Sequence, residues 1–283
     1  MTIKAIAPWF GGKRNLAPKI IEAIGKHSAY WEPFCGSMAV LFAKPPATME
    51  TVNDLHGDLV NLARVIQHDH LSVQLFSRLS RVACSETLHR EAAERHRSRG
   101  NAPAEHPDLD RAADYFLCAW LGRNGVSGTQ SYNQGFCRRF TKSGGHAAKR
   151  FVSAVNSIPD WWHRMRNVTI LSDDAFDLIP RIEDAPGVVI YCDPPYIVKG
   201  TKYVHDFESD DHRRMAELLR RFKRTRVVVS YYDHPALASL YPDWWREEIE
   251  VSKAMVNQNM RDQAETVKVT EVLLINERPG LFS

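Results

Sequence analysis

The sequence predicts an α/β fold, in which helices cover a β-sheet, and three observations lead to this expectation. Short β-rich runs alternate with helical patterns over much of the chain, as in α/β domains. The runs "VVIYC" and "VVVSYY" are nearly all apolar or aromatic, which is typical of central strands covered on both faces. The first of these runs ends in "DPPY", a stiff turn because its two prolines fix the backbone and remove two N–H donors.

Seven runs of β-branched and aromatic residues, bounded by turn residues, are the candidate strands. They are "AYWEPF" (29–34), "METVND" (49–54), "NVTILSD" (167–173), "GVVIYCD" (187–193), "RVVVSYYD" (226–233), "REEIEVSKA" (246–254) and "TEVLLINE" (270–277). The clearest helix is "DDHRRMAELLRRFK" (210–223), whose apolar residues recur at three- and four-residue steps and for which Asp210 or Asp211 can provide the N-cap. A second helix, "LAPKIIEAIGKH" (16–27), carries Ile20, Ile21 and Ile24 on one face.

The middle of the chain, from about 63 to 160, differs from the rest because it is polar and helical at first and then rich in loops. It holds 14 Lys and Arg against 9 Asp and Glu, whereas the whole chain has a net charge of only +3. Binding to a phosphate backbone requires such a concentration of positive charge. A solvated, salt-bridged surface has the same composition, so charge alone does not decide between the two.

Composition excludes several classes of protein. The 283 residues suffice for one large domain or two smaller ones. The five cysteines are scattered and contain no CxxC pair, which favours reduced thiols in a cytosolic compartment and argues against a zinc site. No apolar run approaches the roughly 18 residues that span a membrane, and the N-terminus does not have the pattern of a signal peptide. His89 and His96 have no third ligand nearby, and we expect them to be solvated.

Three polar turns in the first third of the chain are candidate ligand-binding segments. "PWFGGKR" (8–14) combines two glycines with aromatic and basic side chains, and "YWEPFCG" (30–36) is a small-residue turn after a strand. Asp54 ends the next strand, about 20 residues later, where an acidic side chain can bind the hydroxyls of a ribose. Each has a simpler alternative: an N-terminal turn with buried aromatics, an ordinary turn, and a helix N-cap for Asp54.

The fourth turn, Asp193-Pro194-Pro195-Tyr196, suits chemistry on an exocyclic amine. The amino nitrogen of adenine is a poor nucleophile because its lone pair is delocalised into the ring. A carboxylate and a backbone carbonyl can each accept one of its N–H bonds, which leaves the lone pair free to meet an electrophile. A tyrosine can stack on the base, which must first leave the duplex.

In this order, PWFGGKR, EPFCG, ND and DPPY resemble the Dam-type, or alpha-class, adenine-N6 DNA methyltransferases, and the resemblance covers most of the chain. It implies a Rossmann-like sheet that uses S-adenosylmethionine, with a mostly helical target-recognition insertion before DPPY. It implies that Asp193, Pro194, Pro195 and Tyr196 hold the target adenine. The cofactor site that it implies consists of Trp9, Lys13, Glu32, Phe34, Gly36, Asp54, Asp174 and Asp193.

The resemblance assigns residues 1–62 and 163–283 to the catalytic domain and 63–162 to the insertion. "GRNGVSGTQSYNQGFCRRF" resembles the family's DNA-reading β-hairpin, which we place near 122–140. Ser131 stands where GATC-specific members carry an arginine, so recognition of GATC does not follow. The expected DNA-binding residues are Arg123, Asn124, Ser131, Tyr132, Asn133, Arg138 and Arg139.

The function expected from the sequence is therefore site-specific methylation of adenine N6 in double-stranded DNA. Two alternatives stay open at this point: methylation of N4-cytosine or of an RNA amine, and an inactive DNA-binding module that kept the fold. Asp rather than Ser at 193 favours adenine, and the intact set of Lys13, Asp54 and DPPY argues against an inactive module. We expect a monomer or weak dimer, without membrane association, in the cytoplasm of a bacterial or phage-infected cell.

Overall fold

The computed structural model describes residues 3–100, 103–122, 127–129, 135–138, 146–197, 204–253 and 267–277. Within them, seven strands form one sheet in the order β3-β2-β1-β4-β5-β7-β6. The strands are β1 (Ala29–Glu32), β2 (Met49–Asn53), β3 (Thr169–Leu171), β4 (Val188–Cys192), β5 (Arg226–Tyr232), β6 (Trp245–Lys253) and β7 (Val267–Ile275). Each lies where the sequence predicts a strand, with ends that differ by a few residues.

The sheet is parallel except at one edge. β1 pairs in parallel with β2 on one side and β4 on the other, and β2–β3 and β4–β5 are also parallel. β7 lies antiparallel between β5 and β6. The expected α/β fold with a Rossmann-like sheet is confirmed.

Helices connect the parallel strands and cover both faces of the sheet. The helices are α1 (Ala17–Ile24), α2 (Ala39–Ala43), α3 (Gly57–Gln67), α4 (Asp69–Ser80), α5 (Glu86–Arg99), α6 (Leu109–Leu121), α7 (Ala147–Val155), α8 (Ile158–Met165), α9 (Ala175–Leu178), α10 (Ser209–Leu219) and α11 (Ala236–Leu240), with a 3₁₀ turn at Ile179–Arg181. Among the described residues, no helix is long and apolar enough to cross a membrane.

The N-cap of α10 differs from the sequence expectation. Glu208, rather than Asp210 or Asp211, is the cap residue, and Asp211 is the other member of a capping box. The carboxylate of Asp211 accepts the Glu208 N–H at 2.8 Å, so both residues satisfy N–H groups that the first helical turn leaves without partners. The helix therefore begins before Asp210, and its buried face includes Met215 and Leu219.

Alternating side chains of the central strands supply two apolar clusters, one on each face of the sheet. Val189 and Tyr191 of β4 belong to the first cluster, and Ile190 and Cys192 belong to the second. The first cluster also contains Ala92, Phe116 and Phe151 from helices of the middle segment. The middle segment is therefore packed into the same core as the sheet, and the expected division at 62/63 and 162/163 falls inside α3 and α8.

The expectation that His89 and His96 are solvated is wrong. Both histidines are buried on the inner face of α5. Nε2 of His96 lies 2.9 Å from Oδ2 of Asp58, while Oδ1 of Asp58 lies 2.5 Å from Nε of Arg111. The polar composition of α5 conceals this contact, because a histidine that pairs with a buried carboxylate has no apolar sequence signature.

Candidate active site

The topology opens a crevice at the carboxyl ends of β1 and β4. The chain runs from β1 outward to β2 on one side and from β4 outward to β5 on the other. The loops that follow these strands therefore diverge, and ligands of open α/β sheets bind at such a switch point. The turns that contain EPFCG, ND and DPPY all begin at this edge, directly after β1, β2 and β4.

These turns surround a cleft of about 500 Å³, a size suited to a nucleotide-like molecule. All the residues that the sequence assigns to a cofactor site line this cleft: Trp9, Lys13, Glu32, Phe34, Gly36, Asp54, Asp174 and Asp193. Pro195 lines it as well. Pro194 is buried, and Tyr196 lies beside Lys13 at the same edge of the sheet.

Trp9 is held between two glycines with positive φ angles. A Cβ atom at Gly36 (φ +45°) would lie 2.7 Å from the indole nitrogen, and one at Gly128 (φ +86°) would lie 2.5 Å from Cζ2 of the same ring. Only glycine permits this close approach. Gly128 comes from the middle segment, whose Ser127 forms a parallel bridge with Trp9 and accepts the N–H of Phe10 at 3.0 Å.

The ND pair ties the turns of three strands together. Nδ2 of Asn53 donates to the carbonyl oxygens of Pro33 and Asp173, both at 3.0 Å, and Oδ1 accepts the Asp173 N–H at 2.8 Å. Asn53 therefore clamps the turns that follow β1 and β3 onto the end of β2. Sequence analysis included Asn53 in the ND motif but gave it no role; the relevant signal is a polar side chain at the end of a buried strand.

Asp54 organises the floor of the cleft. Its Oδ2 accepts the N–H of Gly36 at 2.8 Å, and its Oδ1 accepts the N–H of His56 at 2.9 Å. Burial raises the pKa of Asp54, and these two hydrogen bonds oppose that effect. The alternative that Asp54 caps α3 is wrong, because His56 is the N-cap and accepts from Leu59 N.

Glu32 is a buried carboxyl at the end of β1. Burial raises its pKa to about 8, and the negative charge of nearby Asp193 adds to the effect. Its Oε2 atom is buried and has no hydrogen-bond partner in the part of the chain that the structure describes. An acceptor in this state is destabilising unless a donor arrives, so Glu32 is suited to a cationic ligand group.

The carboxylate of Asp193 is fixed by two donors on neighbouring segments. Nζ of Lys13 lies 2.8 Å from Oδ1 of Asp193, and the hydroxyl of Ser230 donates to the same oxygen at 2.9 Å. The Ser230 hydroxyl also forms a hydrogen bond with Tyr191 Oη at 2.9 Å. Burial raises the pKa of Asp193, Lys13 lowers it and Glu271 raises it. Sequence analysis missed Ser230 and Glu271.

Contacts of both the ring and the hydroxyl group orient the Tyr196 side chain. The hydroxyl donates a hydrogen bond to Oε1 of Glu271, and the ring meets that of Tyr232 edge to face with centroids 4.4 Å apart. Nζ of Lys13 lies 4.9 Å from the centre of the Tyr196 ring. These contacts hold the aromatic side chain of DPPY in a single orientation.

An aromatic wall closes the opposite side of the cleft. Asp174 caps α9 by accepting the Phe176 N–H at 2.8 Å, with Ala175 between the two residues. Phe176 stacks on Phe207 at 5.5 Å, and the guanidinium of Arg214 lies 4.3 Å from the Phe176 ring centre. Phe207 and Arg214 also line the cleft, and sequence analysis did not identify either of them.

A family model described as the D12 class of N6 adenine-specific DNA methyltransferases matches residues 9–258. The chain belongs to this family. It is an adenine-specific DNA methyltransferase that transfers a methyl group from S-adenosylmethionine to adenine N6 in DNA. Membership of this class decides against methylation of N4-cytosine or of an RNA amine.

Two relatives align with the methyltransferase over most of their own length. Type II methyltransferase M1.LlaDCHI of Lactococcus lactis subsp. cremoris is 24% identical, covering 98% of this chain and 96% of its own. Retron Ec67 DNA adenine methylase of Escherichia coli is 27% identical, covering 89% of this chain and 86% of its own. Among solved structures, rRNA methyltransferase aviRa of Streptomyces viridochromogenes aligns with 93% of this chain and 84% of its own at 12% identity and a TM-score of 0.39.

Most of the DNA-binding residues expected in the methyltransferase lie outside the described residues; these are Arg123, Asn124, Ser131, Tyr132, Asn133 and Arg139. The base of the expected hairpin is described. Gly122 and Phe136 form an antiparallel bridge, and the N–H of Cys137 donates to the carbonyl oxygen of Leu121 at 2.9 Å. Nη2 of Arg138 lies 2.5 Å from Oε1 of Glu86 at the exposed surface of α5.

Proposed function

We propose that S-adenosylmethionine binds in the cleft with its methionine part over β1 and its nucleoside part over β2 and α9. The observation that carries this proposal is the buried Oε2 atom of Glu32, which has no partner among the described residues and faces a cleft of nucleotide size. Glu32 would accept the cofactor's ammonium group, and Asp54 its ribose hydroxyls. Asp174 and Phe176 would hold its adenine, and Gly36 lets the chain approach the cofactor closely.

When bound, S-adenosylmethionine supplies an electrophilic methyl group on a sulfonium centre. The carboxylate of Asp193 would bind the target amine beside this methyl group. Lys13 and Ser230 both contact Oδ1 of Asp193, so Oδ2 is the oxygen proposed to accept an N–H of the amine. The carbonyl oxygen of Pro194 would accept the second N–H, which orients the nitrogen lone pair toward the methyl group.

The target adenine would enter the cleft as a base flipped out of the duplex and would stack on Tyr196. An exocyclic amine within a base pair cannot reach a carboxylate at the bottom of a cleft, so enzymes that modify bases extrude them. The fixed orientation of the Tyr196 ring supports this role. Pro195, which lines the cleft beside Asp193, would keep the turn stiff as the base enters.

Residues 63–162 are proposed to recognise the target, with the loop between Gly122 and Phe136 reaching the DNA. Arg138 follows the base of this loop and is a candidate DNA contact, as is Arg139. Because Arg138 pairs with Glu86 at an exposed surface, the pair contributes little to stability and can separate when a phosphate approaches. We predict that the enzyme is a monomer or weak dimer, which sedimentation would test. We also predict that it is located in the cytoplasm, which cell fractionation would test.

The experiment that tests the proposed function combines cofactor binding with product analysis. We expect calorimetry to show one S-adenosylmethionine site per chain, which Glu32→Gln weakens and which Arg138→Ala leaves unchanged. We expect nucleoside mass spectrometry of treated DNA to show N6-methyladenine, at sites that modified-base sequencing will define. Cofactor binding that is unaffected by Glu32→Gln would contradict the proposed cofactor position, and the absence of N6-methyladenine would contradict the activity.

A further inference from the structure

Glu271 is a buried acidic residue at the active-site edge, although it comes from a strand outside the four motifs. β7 runs antiparallel to β5, with Glu271 in register with Tyr232 at the end of β5. The beginning of β7 therefore lies beside the carboxyl ends of the parallel strands. Within the sequence "TEVLLI", Glu271 is followed by four apolar residues, all of which are buried.

Glu271 contacts Tyr196, which is proposed to stack on the target base, and Lys13, which contacts the proposed amine acceptor Asp193. Its Oε1 accepts the hydrogen bond of the Tyr196 hydroxyl and lies 3.4 Å from Nζ of Lys13. Lys13 in turn contacts Asp193 at 2.8 Å and lies over the Tyr196 ring. The four side chains form one connected cluster in which Glu271 joins the base-stacking residue to the amine-binding residue.

A buried carboxylate in a strand is costly to the fold, since its desolvation is repaid only by good partners. An apolar residue that filled the same space on β7 would stabilise the sheet at least as well. A structural role therefore explains Glu271 poorly. Its partners suggest a role in the reaction.

We propose that Glu271 is a positioning residue for methyl transfer, which sets the orientation of Tyr196 and Lys13 so that the target amine meets Asp193 in a reactive geometry. This inference rests on the proposed function of the cleft. In the transfer, the amine nitrogen forms a bond to the methyl carbon as the carbon–sulfur bond breaks. The sulfur keeps the bonding pair, and the surplus N6 proton is released to water.

Positive charge therefore moves from the sulfur to the amine nitrogen during the reaction. The ammonium group of Lys13 contacts the carboxyl groups of both Asp193 and Glu271, so this cluster places two carboxyl groups and one ammonium group beside the proposed position of the amine. Fixed negative charge near the atom where positive charge develops lowers the barrier. Glu271 thus has two effects, one on geometry and one on charge, and the two can be separated by substitution.

The test compares Glu271→Ala, Glu271→Gln and a control, Glu277→Gln. Glutamine keeps an acceptor for the Tyr196 hydroxyl but removes the charge, whereas alanine removes both. Glu277 lies beyond the opposite end of β7, roughly 20 Å along the chain at the rise of a strand. Each protein is measured for S-adenosylmethionine affinity, for single-turnover methylation and for the pH dependence of that rate.

We expect Glu271→Ala to lower the single-turnover rate about 100-fold, as for loss of one electrostatic contact in a transition state. The S-adenosylmethionine dissociation constant should stay within about threefold, because Glu271 acts on the amine rather than on the cofactor. The single-turnover rate of Glu271→Gln should be about tenfold higher than that of Glu271→Ala, because glutamine keeps Tyr196 in place. Adding Tyr196→Phe to Glu271→Ala should cause little further loss, because the hydroxyl has already lost its partner.

The pH profile provides a readout that a purely structural role would not change. The acidic limb should report ionisation of Asp193, whose pKa is raised by burial and also by Glu271. Glu271→Gln should move this limb to lower pH, while Glu277→Gln should leave it unchanged. Within the part of the chain that the structure describes, titratable groups other than Lys13 and Glu271 also interact with Asp193, and all are retained in both variants; they are Glu32, Tyr191, Cys192, Tyr196, Tyr231 and Tyr232.

The inference alone is overturned if the wild-type enzyme makes N6-methyladenine and Glu271→Ala methylates at the wild-type rate. It is also overturned if Glu271→Gln loses rate without moving the acidic limb. Should Glu271→Ala fail to fold, Glu271→Gln decides by the same two measurements. A wild-type enzyme that makes no N6-methyladenine overturns the proposed function together with the inference.

Discussion

At the residue scale, the active site contains several buried carboxyl groups and few cationic side chains. Glu32, Asp54 and Asp193 all have pKa values raised by burial, and each is compensated differently. Asp54 accepts two backbone N–H groups, and Asp193 pairs with Lys13. For Glu32 the Tyr30 hydroxyl and the charge of Lys44 oppose burial, but its pKa still rises to about 8, which leads to a prediction about stability and pH.

Glu32→Gln is expected to stabilise the cofactor-free protein at pH 8 while weakening cofactor binding. Between its ordinary pKa of 4.5 and its raised value of about 8, Glu32 is ionised in the unfolded chain but protonated in the folded protein. The unfolded state then binds fewer protons, so the free energy of unfolding falls as pH rises. The loss of cofactor affinity should be about 1.5–3 kcal/mol, the value of one charged hydrogen bond.

Urea unfolding at pH 5 and pH 8, with calorimetry of S-adenosylmethionine, measures both effects. Glu183→Gln, at an exposed position, is the matched control and should change neither quantity. A Glu32→Gln protein with the wild-type pH dependence and wild-type affinity would remove Glu32 from the site.

The sequence could predict those site residues that stand at the end of a strand or directly after it, such as Glu32, Asp54 and Asp193. It could not predict Ser230 and Glu271, because each lies within an apolar strand. Alternation along a strand shows that neighbouring side chains point to opposite faces, but it does not show which end of the strand meets the site. That depends on the antiparallel placement of β7 beside β5, which is a property of the whole sheet.

At the scale of elements, the seven strands could be predicted because buried strands carry runs of β-branched and aromatic residues. The contact between "PWFGG" and the middle segment could not be predicted from the sequence, because it joins residues that are more than 100 positions apart. Trp9 is confined between Gly36 and Gly128. The loop of the middle segment thus contacts a side chain that lines the cofactor cleft.

Gly128→Ala is expected to weaken binding of S-adenosylmethionine, because the new Cβ would lie 2.5 Å from the Trp9 ring and must displace it. Overpacking of this kind costs about 1–3 kcal/mol. Calorimetry and thermal unfolding provide the measurement.

Gly100→Ala separates this clash from backbone strain. Gly100 also has a positive φ, +71°, but a Cβ atom there would meet no atom of the described residues within 4 Å. Gly100→Ala should lower the free energy of unfolding by about 1–3 kcal/mol from backbone strain alone, because φ +71° with ψ −171° is a region essentially restricted to glycine. It should leave cofactor affinity unchanged. Equal cofactor affinities in the two variants would show that Gly128 does not act through Trp9.

At the scale of the whole molecule, the catalytic sheet and the middle segment share a core and a buried charge cluster. Asp58 on α3 pairs with His96 on α5 and with Arg111 on α6. Burial raises the pKa of Asp58, but the contacts with His96 and Arg111 outweigh burial and hold the pKa well below its ordinary value. The stability from this depressed pKa is present above the ordinary pKa of 3.8 and is lost as pH falls through the folded value.

Asp58→Asn is expected to lower the free energy of unfolding at pH 7 by about 3–5 kcal/mol, as when one partner of a buried pair is removed. Below pH 4, the free energy of unfolding of the variant should fall less steeply with pH than that of the wild type. Denaturant unfolding across this pH range is the measurement, with the exposed Asp177→Asn as a control. A variant as stable as the wild type would mean that the cluster does not hold the middle segment to the sheet.

Single-turnover methylation by Asp193→Ala is the decisive measurement, since the carboxylate of Asp193 is proposed to orient the target amine. The rate should fall by about 10²–10³ or more, with N6-methyladenine as the wild-type product and with S-adenosylmethionine affinity largely retained. Asp243→Ala, at an exposed position, should behave as the wild type. Methyl transfer by Asp193→Ala at nearly the wild-type rate would contradict the account.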